Sequence, residues 1–288
     1  MPDLVNSVEV FAAEENRSGA DPKSTTVRGA LVVNADDWGR DRENTDRTLE
    51  CVLCGAVSAV SGMVFMEDSR RAAEIARANA IDAGLHLNLT TEFSQSGAPA
   101  GLIEQQQRLA RYLRRHRLGH ILFHPGLTSS FEYVVKAQIE EFERLYGDRP
   151  RRFDGHHHAH LCANVINAKL LPEGTIVRRN FSFRPGEKSL GNRLYRNLLD
   201  RKLARRHKLT DLFFSLPPME PQRLRRIFGA AKDSVVELET HPVKREEFVF
   251  LADGEIFRWI DKSLIRSFAS IAKQMIGHDV RGTSLLPQ

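Results

Sequence analysis

The stretch "ALVVNADDWG", residues 30–39, sets an apolar run against a sudden cluster of polar groups. Small and β-branched residues in unbroken succession read as a strand buried on both faces, the habit of parallel sheets covered by helices. The run ends in Asn34, Asp36 and Asp37. In parallel α/β proteins the groups that do chemistry gather where strands end and loops begin. No G-x-G-x-x-G or phosphate-loop pattern follows this strand, which argues against a dinucleotide or nucleoside-triphosphate cradle.

Outward from residue 39 the alternation continues. "ENTDRTLECVLCGA" (43–56) has helical spacing, "VSAVSGMVF" (57–65) is strand-like, "EDSRRAAEIARANA" (67–80) is an amphipathic helix, and "DAGLHLNL" (82–89) is a third strand. Helical stretches near 103–117 and 130–147 precede "RRFDGHHHAH" (151–160). Further strands are expected in "GTIVRRNFSF" (174–183), "TDLFFSL" (210–216) and "SVVELETH" (234–241), and "IDKSLIRSFASIAKQM" (260–275) closes the pattern as a helix. About seven strands alternating with helices over about 250 residues suit a closed or partly closed (β/α) barrel. With no internal repeat and no low-complexity linker, residues 28–288 are expected to form one domain. Residues 1–27 are polar and aperiodic and are expected to be a disordered extension.

The 288 residues are 41% apolar and 27% charged, an ordinary globular composition without an apolar run long enough to span a bilayer, so no membrane insertion is expected. The opening residues do not pair a basic start with an apolar run as signal peptides do, and three cysteines cannot build a disulfide framework. Both features lead us to expect a cytoplasmic protein. Cys51 and Cys54 form a C-x-x-C without a second pair or a redox context, and read as packing residues one turn apart on a helix. The net charge of +5 comes largely from "RLARYLRRHRLGH" (108–120) and "LDRKLARRHKL" (199–209). Aromatic residues are not interleaved with these charges as base-stacking platforms require, so no nucleic-acid partner is expected. The composition leaves a homo-oligomer open.

Every unusual polar cluster lies at an expected strand end. Asp36 and Asp37 end the first strand, His86 interrupts the leucines of the third, "DGHHHAH" follows Phe153, and His241 with Pro242 ends "VVELETHP". Singly, each has a bland reading: two aspartates after a strand can cap a helix, and one histidine in an apolar strand is usually a packed core residue. Together, two histidines and one carboxylate from separate strands supply an open three-ligand site of the kind hydrolytic metals use. Alternation along a strand turns Asp36 and Asp37 in different directions, so one can face a metal and the other water or substrate. The same alternation groups His156, His158 and His160 on one face with His157 on the other, so only some can be ligands.

"NADDWG", "GLHLNLT", "DGHHHAH" and "ELETHP", in this order and spacing, resemble the YdjC-like carbohydrate deacetylases. The resemblance covers about residues 28–285. It implies a distorted (β/α) barrel related to the polysaccharide deacetylases, and metal-dependent hydrolysis of an N-acetyl group on a sugar, best known on chitooligosaccharides. Carried onto this sequence, it implies Asp37, His86 and His156 as ligands of one divalent metal ion, Asp36 as general base, and His241 as the acid that protonates the departing amine. Asp154 is then a candidate partner for His156, and Glu237 for His241. The family usually uses magnesium, although two imidazoles and one carboxylate also suit zinc, cobalt or manganese. Trp38 replaces a common Phe, Gly155 a frequent Ser, and both Arg178 and Arg179 stand where one arginine is usual. The competing readings are a metal-dependent phosphoester hydrolase, for which these motifs carry too few carboxylates to hold two metals, and a non-catalytic carbohydrate-binding or metal-storage relative.

Overall fold

The computed structural model describes residues 29–115, 118–184 and 186–275. The extension expected at residues 1–27 lies outside them. Seven strands are seen among the described residues: β1 (Ala30–Trp38), β2 (Ala59–Gly62), β3 (Ala83–Leu87), β4 (Arg152–Gly155), β5 (Ile176–Val177), β6 (Leu212–Ser215) and β7 (Val235–Thr240). They pair in parallel in the order β5-β4-β3-β2-β1-β7-β6 and curl into a half-barrel. The edges approach each other beyond the ladder. Val177 donates its N–H to the Lys208 carbonyl at 2.9 Å, and Ser182 donates to the Phe213 carbonyl at 2.9 Å.

The helices are α1 (Arg42–Leu53), α2 (Ser69–Ala78), α3 (Ala100–Arg115), α4 (Thr128–Tyr146), α5 (Ala163–Asn167), α6 (Leu190–Ala204), α7 (Pro221–Ala230), α8 (Arg245–Ala252) and α9 (Phe268–Met275). The start of α1 decides one ambiguity of "DDWGRDREN". Asp41, not Asp36 or Asp37, caps the helix, its carboxylate accepting the Asn44 N–H at 2.9 Å. The two earlier aspartates are released from that role. Cys51 is buried on the core side of α1 and its thiol is pushed up to about 12 by burial, while Cys54 caps the same helix, in keeping with a packing pair.

Strand alternation builds two different interiors from β1. Leu31, Val33 and Ala35 pack outward with Cys51, Ala72, Leu224, Ile227 and Leu251 in the layer of surrounding helices. Ala30 and Val32 turn the other way and meet Ala59, Ile176, Val235, Phe268 and Ile271, so that α9 closes the end of the curl at which the strands begin. Further along the same face the side chains become Asn34 and Asp36, and the other strands follow the same change, with Ser61, His86, Asp154 and Glu237 all buried. The inside of the half-barrel is therefore apolar where the strands start and polar where they end.

Candidate active site

The geometry of the double aspartate is not that of a regular strand end. The pairing of β1 with β2 slips between Ala35 and Trp38, and Asp37 has φ 63°, a left-handed conformation that non-glycine residues seldom adopt. This corrects the simple alternation expected for Asp36 and Asp37, because the twist turns both carboxylates toward the same polar interior. Gly39, at φ 83°, completes the turn where a side chain would press on Ala72 of α2.

Asp37 meets the two expected histidines. Its Oδ1 lies 2.9 Å from His156 Nδ1 and 3.5 Å from His86 Nε2. That oxygen is buried and takes part in no hydrogen bond of acceptable geometry, although two ring nitrogens face it. Burial alone would raise the Asp37 pKa, but the imidazoles of His156 and His86 hold it well below the usual carboxylate range. Three donor atoms converging on one point, one of them an orphaned buried oxygen, fit a shared cation. Arg40 bonds the other Asp37 oxygen at 3.0 Å and fixes the plane of the carboxylate.

His86 is oriented from behind. Its Nδ1 lies 2.7 Å from Asp154 Oδ1, and Asp154, despite burial, is held ionised by Arg178, His86 and Arg152. An ionised carboxylate only accepts, so Nδ1 carries the proton and Nε2 is the atom presented to Asp37. Burial would lower the His86 pKa, but Asp36, Asp154 and Asp37 together raise it to about 10. Asp154 therefore serves His86, not His156 as the sequence suggested. Ser61 and Arg152, neither of which the motifs single out, complete the support: Ser61 donates to Asp154 at 2.5 Å, and Arg152 to both at 2.9 Å.

The histidine tract is not a strand. β4 stops at Gly155 and the chain enters a tight 3-10 turn in which His157 and His158 both have left-handed φ, 53° and 54°. The expected grouping by alternation does not hold. His156 faces Asp37, and His157 is exposed with its Nδ1 3.0 Å from Thr90 Oγ1 instead of packing behind the sheet. His158 rests edge-on against Phe181 at 4.8 Å, and buried His160 has its Nε2 3.0 Å from the Arg178 carbonyl oxygen. Burial pushes the last two down, to about 3 and about 4, and both stay neutral at working pH.

Arg178 resolves the choice between the two arginines. Its guanidinium is buried, donates to both oxygens of Asp36 at 2.7 Å and to Glu237 Oε1 at 2.7 Å, and lies 3.2 Å from Asp154. Arg179 turns away to Asp200 at 3.1 Å. Asp36 also accepts from Asn34 at 2.8 Å. Burial raises its pKa, but Arg178 and His86 prevail and lower it to about 2.

His241 stands at the end of β7, its N–H donated to Glu247 at 2.7 Å, its pKa lowered by burial. Its carboxylate neighbour is Glu239, 3.8 Å away, not Glu237, which is committed to Arg178. Glu239 and Arg152 were legible in principle. Each lies two residues before a named polar residue on a strand, Glu239 before His241 and Arg152 before Asp154, and so shares its face.

The curled parallel sheet agrees with the comparisons to known proteins. A family model described as "YdjC-like protein" matches residues 30–262. The mouse carbohydrate deacetylase is 31% identical over 144 residues, covering 48% of this chain and 45% of its own length. The chitooligosaccharide deacetylase of Serratia marcescens is 30% identical over 137 residues, covering 47% and 52%. The chain thus spans about half the length of these curated relatives. A crystal structure from Enterococcus faecalis V583, of a protein proposed to cleave cellobiose phosphate, superposes with a TM-score of 0.57 over 84% of this chain and 98% of its own, at 18% identity, which is likeness of fold. With the match running from the first strand to beyond the last, this chain belongs to the YdjC-like protein family.

Proposed function

We propose that the protein is a metal-dependent carbohydrate deacetylase, a hydrolase that removes the N-acetyl group from an amino sugar or an acetylated oligosaccharide or glycoconjugate. The observation that carries this reading is the convergence of Asp37 Oδ1, His86 Nε2 and His156 Nδ1 on one point beside a second, separately held carboxylate, Asp36. The names of the relatives, carbohydrate and chitooligosaccharide deacetylases, point to the same chemistry.

Amide hydrolysis needs a polarised carbonyl, a nucleophilic water and a protonated leaving amine. Asp37, His86 and His156 would hold one divalent ion, magnesium by family resemblance or zinc, cobalt or manganese by donor type. When bound, such an ion supplies Lewis acidity toward the acetyl oxygen and lowers the pKa of water. Asp36 is the base. Arg178 keeps it ionised and aimed; Oδ1 accepts from both Arg178 and Asn34, which leaves Oδ2, bonded by Arg178 alone, a second lone pair for the proton of the attacking water. His241 is the acid that passes a proton to the amine nitrogen as the C–N bond breaks. The three free cysteines suit a cytoplasmic setting.

Acetate release from a panel of N-acetylated sugars, after chelation and after return of magnesium, zinc, cobalt or manganese, tests the reading. Activity should vanish with chelation and return with one metal per chain. Acetate release indifferent to chelation, or turnover of phosphoesters alone, would overturn it.

A further inference from the structure

α6 is built inside out. A helix on the surface of an α/β fold normally turns its leucines inward, but of the 15 residues of α6 only Asp200 and Leu203 are buried. Leu190, Leu194 and Leu198, spaced four apart and so on one face, are 81%, 58% and 54% exposed. Polar groups hold the inward side. Asp200 accepts the Asn180 N–H at 3.0 Å and pairs with Arg179 at 3.1 Å, and the Arg196 guanidinium lies 5.2 Å from the centre of the Phe183 ring. One exposed leucine is ordinary; a row of three on a helix that stands off the body is not.

A second apolar strip lies close by. Leu118, Ile121, Leu122 and Phe123, between α3 and α4, are all exposed, in a turn where Ile121 and Leu122 both donate their N–H to the Leu118 carbonyl at 2.9 Å. The five-residue α5 touches both strips. Near its start, Ala163 donates to the His120 carbonyl and the Asn164 side chain exchanges two hydrogen bonds with the His124 backbone, each at 2.9 Å. Near its end, the Asn167 side chain accepts from Lys202 of α6, and Val165 shares a core with Leu203. Because α5 follows directly on the histidine turn, this surface borders the polar end of the half-barrel.

The charge around these strips has one sign. From Arg108 to Phe131 the chain contains no acid, and from Lys188 to Lys208 it has eight lysines and arginines against one acid, the buried Asp200. Among the described residues, Arg201, Lys202 and Arg205 pair with no acid. Leucines flanked by long basic side chains fit an anionic lipid surface: the leucines enter the acyl boundary while the arginine and lysine stems reach back to headgroup phosphates. A protein partner would meet a protruding ridge, and a second copy would bring the same positive charge against this one.

We propose that α6 and the turn at 118–123 seat the protein on an anionic membrane surface, with α6 lying in the interface. The contact lies on the bilayer and needs no helix able to cross it; none of the described helices can. The inference is independent of the deacetylase reading.

The test is flotation of the full chain with phosphatidylcholine vesicles, with and without about 30% phosphatidylglycerol. The protein should float with the anionic vesicles only, and should be released as salt rises from about 0.1 M to about 0.5 M. Leu190→Ser, Leu194→Ser and Leu198→Ser combined should weaken binding by about tenfold or more. Arg201→Gln, Lys202→Gln and Arg205→Gln combined should weaken it by about ten- to a hundredfold. Leu53→Ser, at an exposed leucine on α1, should change nothing. All these side chains are exposed, so every variant should keep the wild-type unfolding midpoint. Equal flotation with both kinds of vesicle, or flotation that survives both sets of substitutions, would overturn the inference. No flotation would overturn it and leave the face to a protein partner. A lipid-free dimer, seen by light scattering and broken into monomers by the leucine substitutions, would overturn it in favour of a second copy.

Discussion

At Asp36 a buried guanidinium bonds both carboxylate oxygens, whereas the neighbouring Asp37 leaves one buried oxygen without a hydrogen bond and facing two imidazoles. In the proposed mechanism, adjacent residues of one type thus separate into a held base and a ligand. Asp36→Asn keeps the shape and the Asn34 contact, so metal content should stay at the wild-type level while turnover falls by about two to four decades, the range for loss of a general base. His156→Ala removes one of three converging donors and should lower the metal retained after dialysis, measured by elemental analysis. An unchanged rate in the first variant or full metal occupancy in the second would remove the assigned role. The pair of residues was legible in the sequence. Their division of labour was not, because it depends on Arg178, 142 residues away in the chain from Asp36.

The element that positions His156 is the turn after β4. Gly155 has extended backbone there, so its freedom of φ is not the issue; space is. A Cβ at this position would lie 2.9 Å from the His160 backbone nitrogen and 3.1 Å from its Cβ. Backbone cannot move aside as a flexible side chain can. Gly155→Ala should therefore displace the 3-10 turn, costing about 1–3 kcal/mol in stability by overpacking and weakening metal retention together. Denaturant unfolding and elemental analysis check both, and a stable variant with normal metal content would show that the turn yields without moving His156. Helical and strand periodicities in the sequence located β4 and its neighbours well. They failed inside the histidine tract because the chain leaves the strand at Gly155, and the period of two ends with it.

On the scale of the whole molecule, the half-barrel encloses an apolar layer under α9 and a charged layer above it. Arg178 is the tie of that upper layer, reaching Asp36 on β1, Asp154 on β4 and Glu237 on β7 while its face covers the Phe213 ring at 4.9 Å. Its removal strands buried carboxylates. Arg178→Met should destabilise the fold by about 3–5 kcal/mol, the usual cost of breaking a buried ion pair from one side. Arg178→Lys should recover little, since an ammonium cannot make the paired bonds to Asp36. Unfolding free energies within about 1 kcal/mol of wild type would show that water or protons compensate the acids instead.

Apolar runs ending in polar clusters, repeated at helical intervals, determined the parallel α/β architecture and placed Asp36, Asp37, His86, His156 and His241 at strand ends. Burial of a strand's faces is a local property of its residues, so a single chain's pattern can carry it. The tertiary structure alone decided that Asp154 serves His86, that Arg178 and not Arg179 enters the interior, that Glu237 is spent on that arginine, and that Glu239 is left beside His241. Those assignments depend on which side chains meet across the curl of the sheet. Strand order and register fix such meetings, and neither is written in the spacing of residues along one strand.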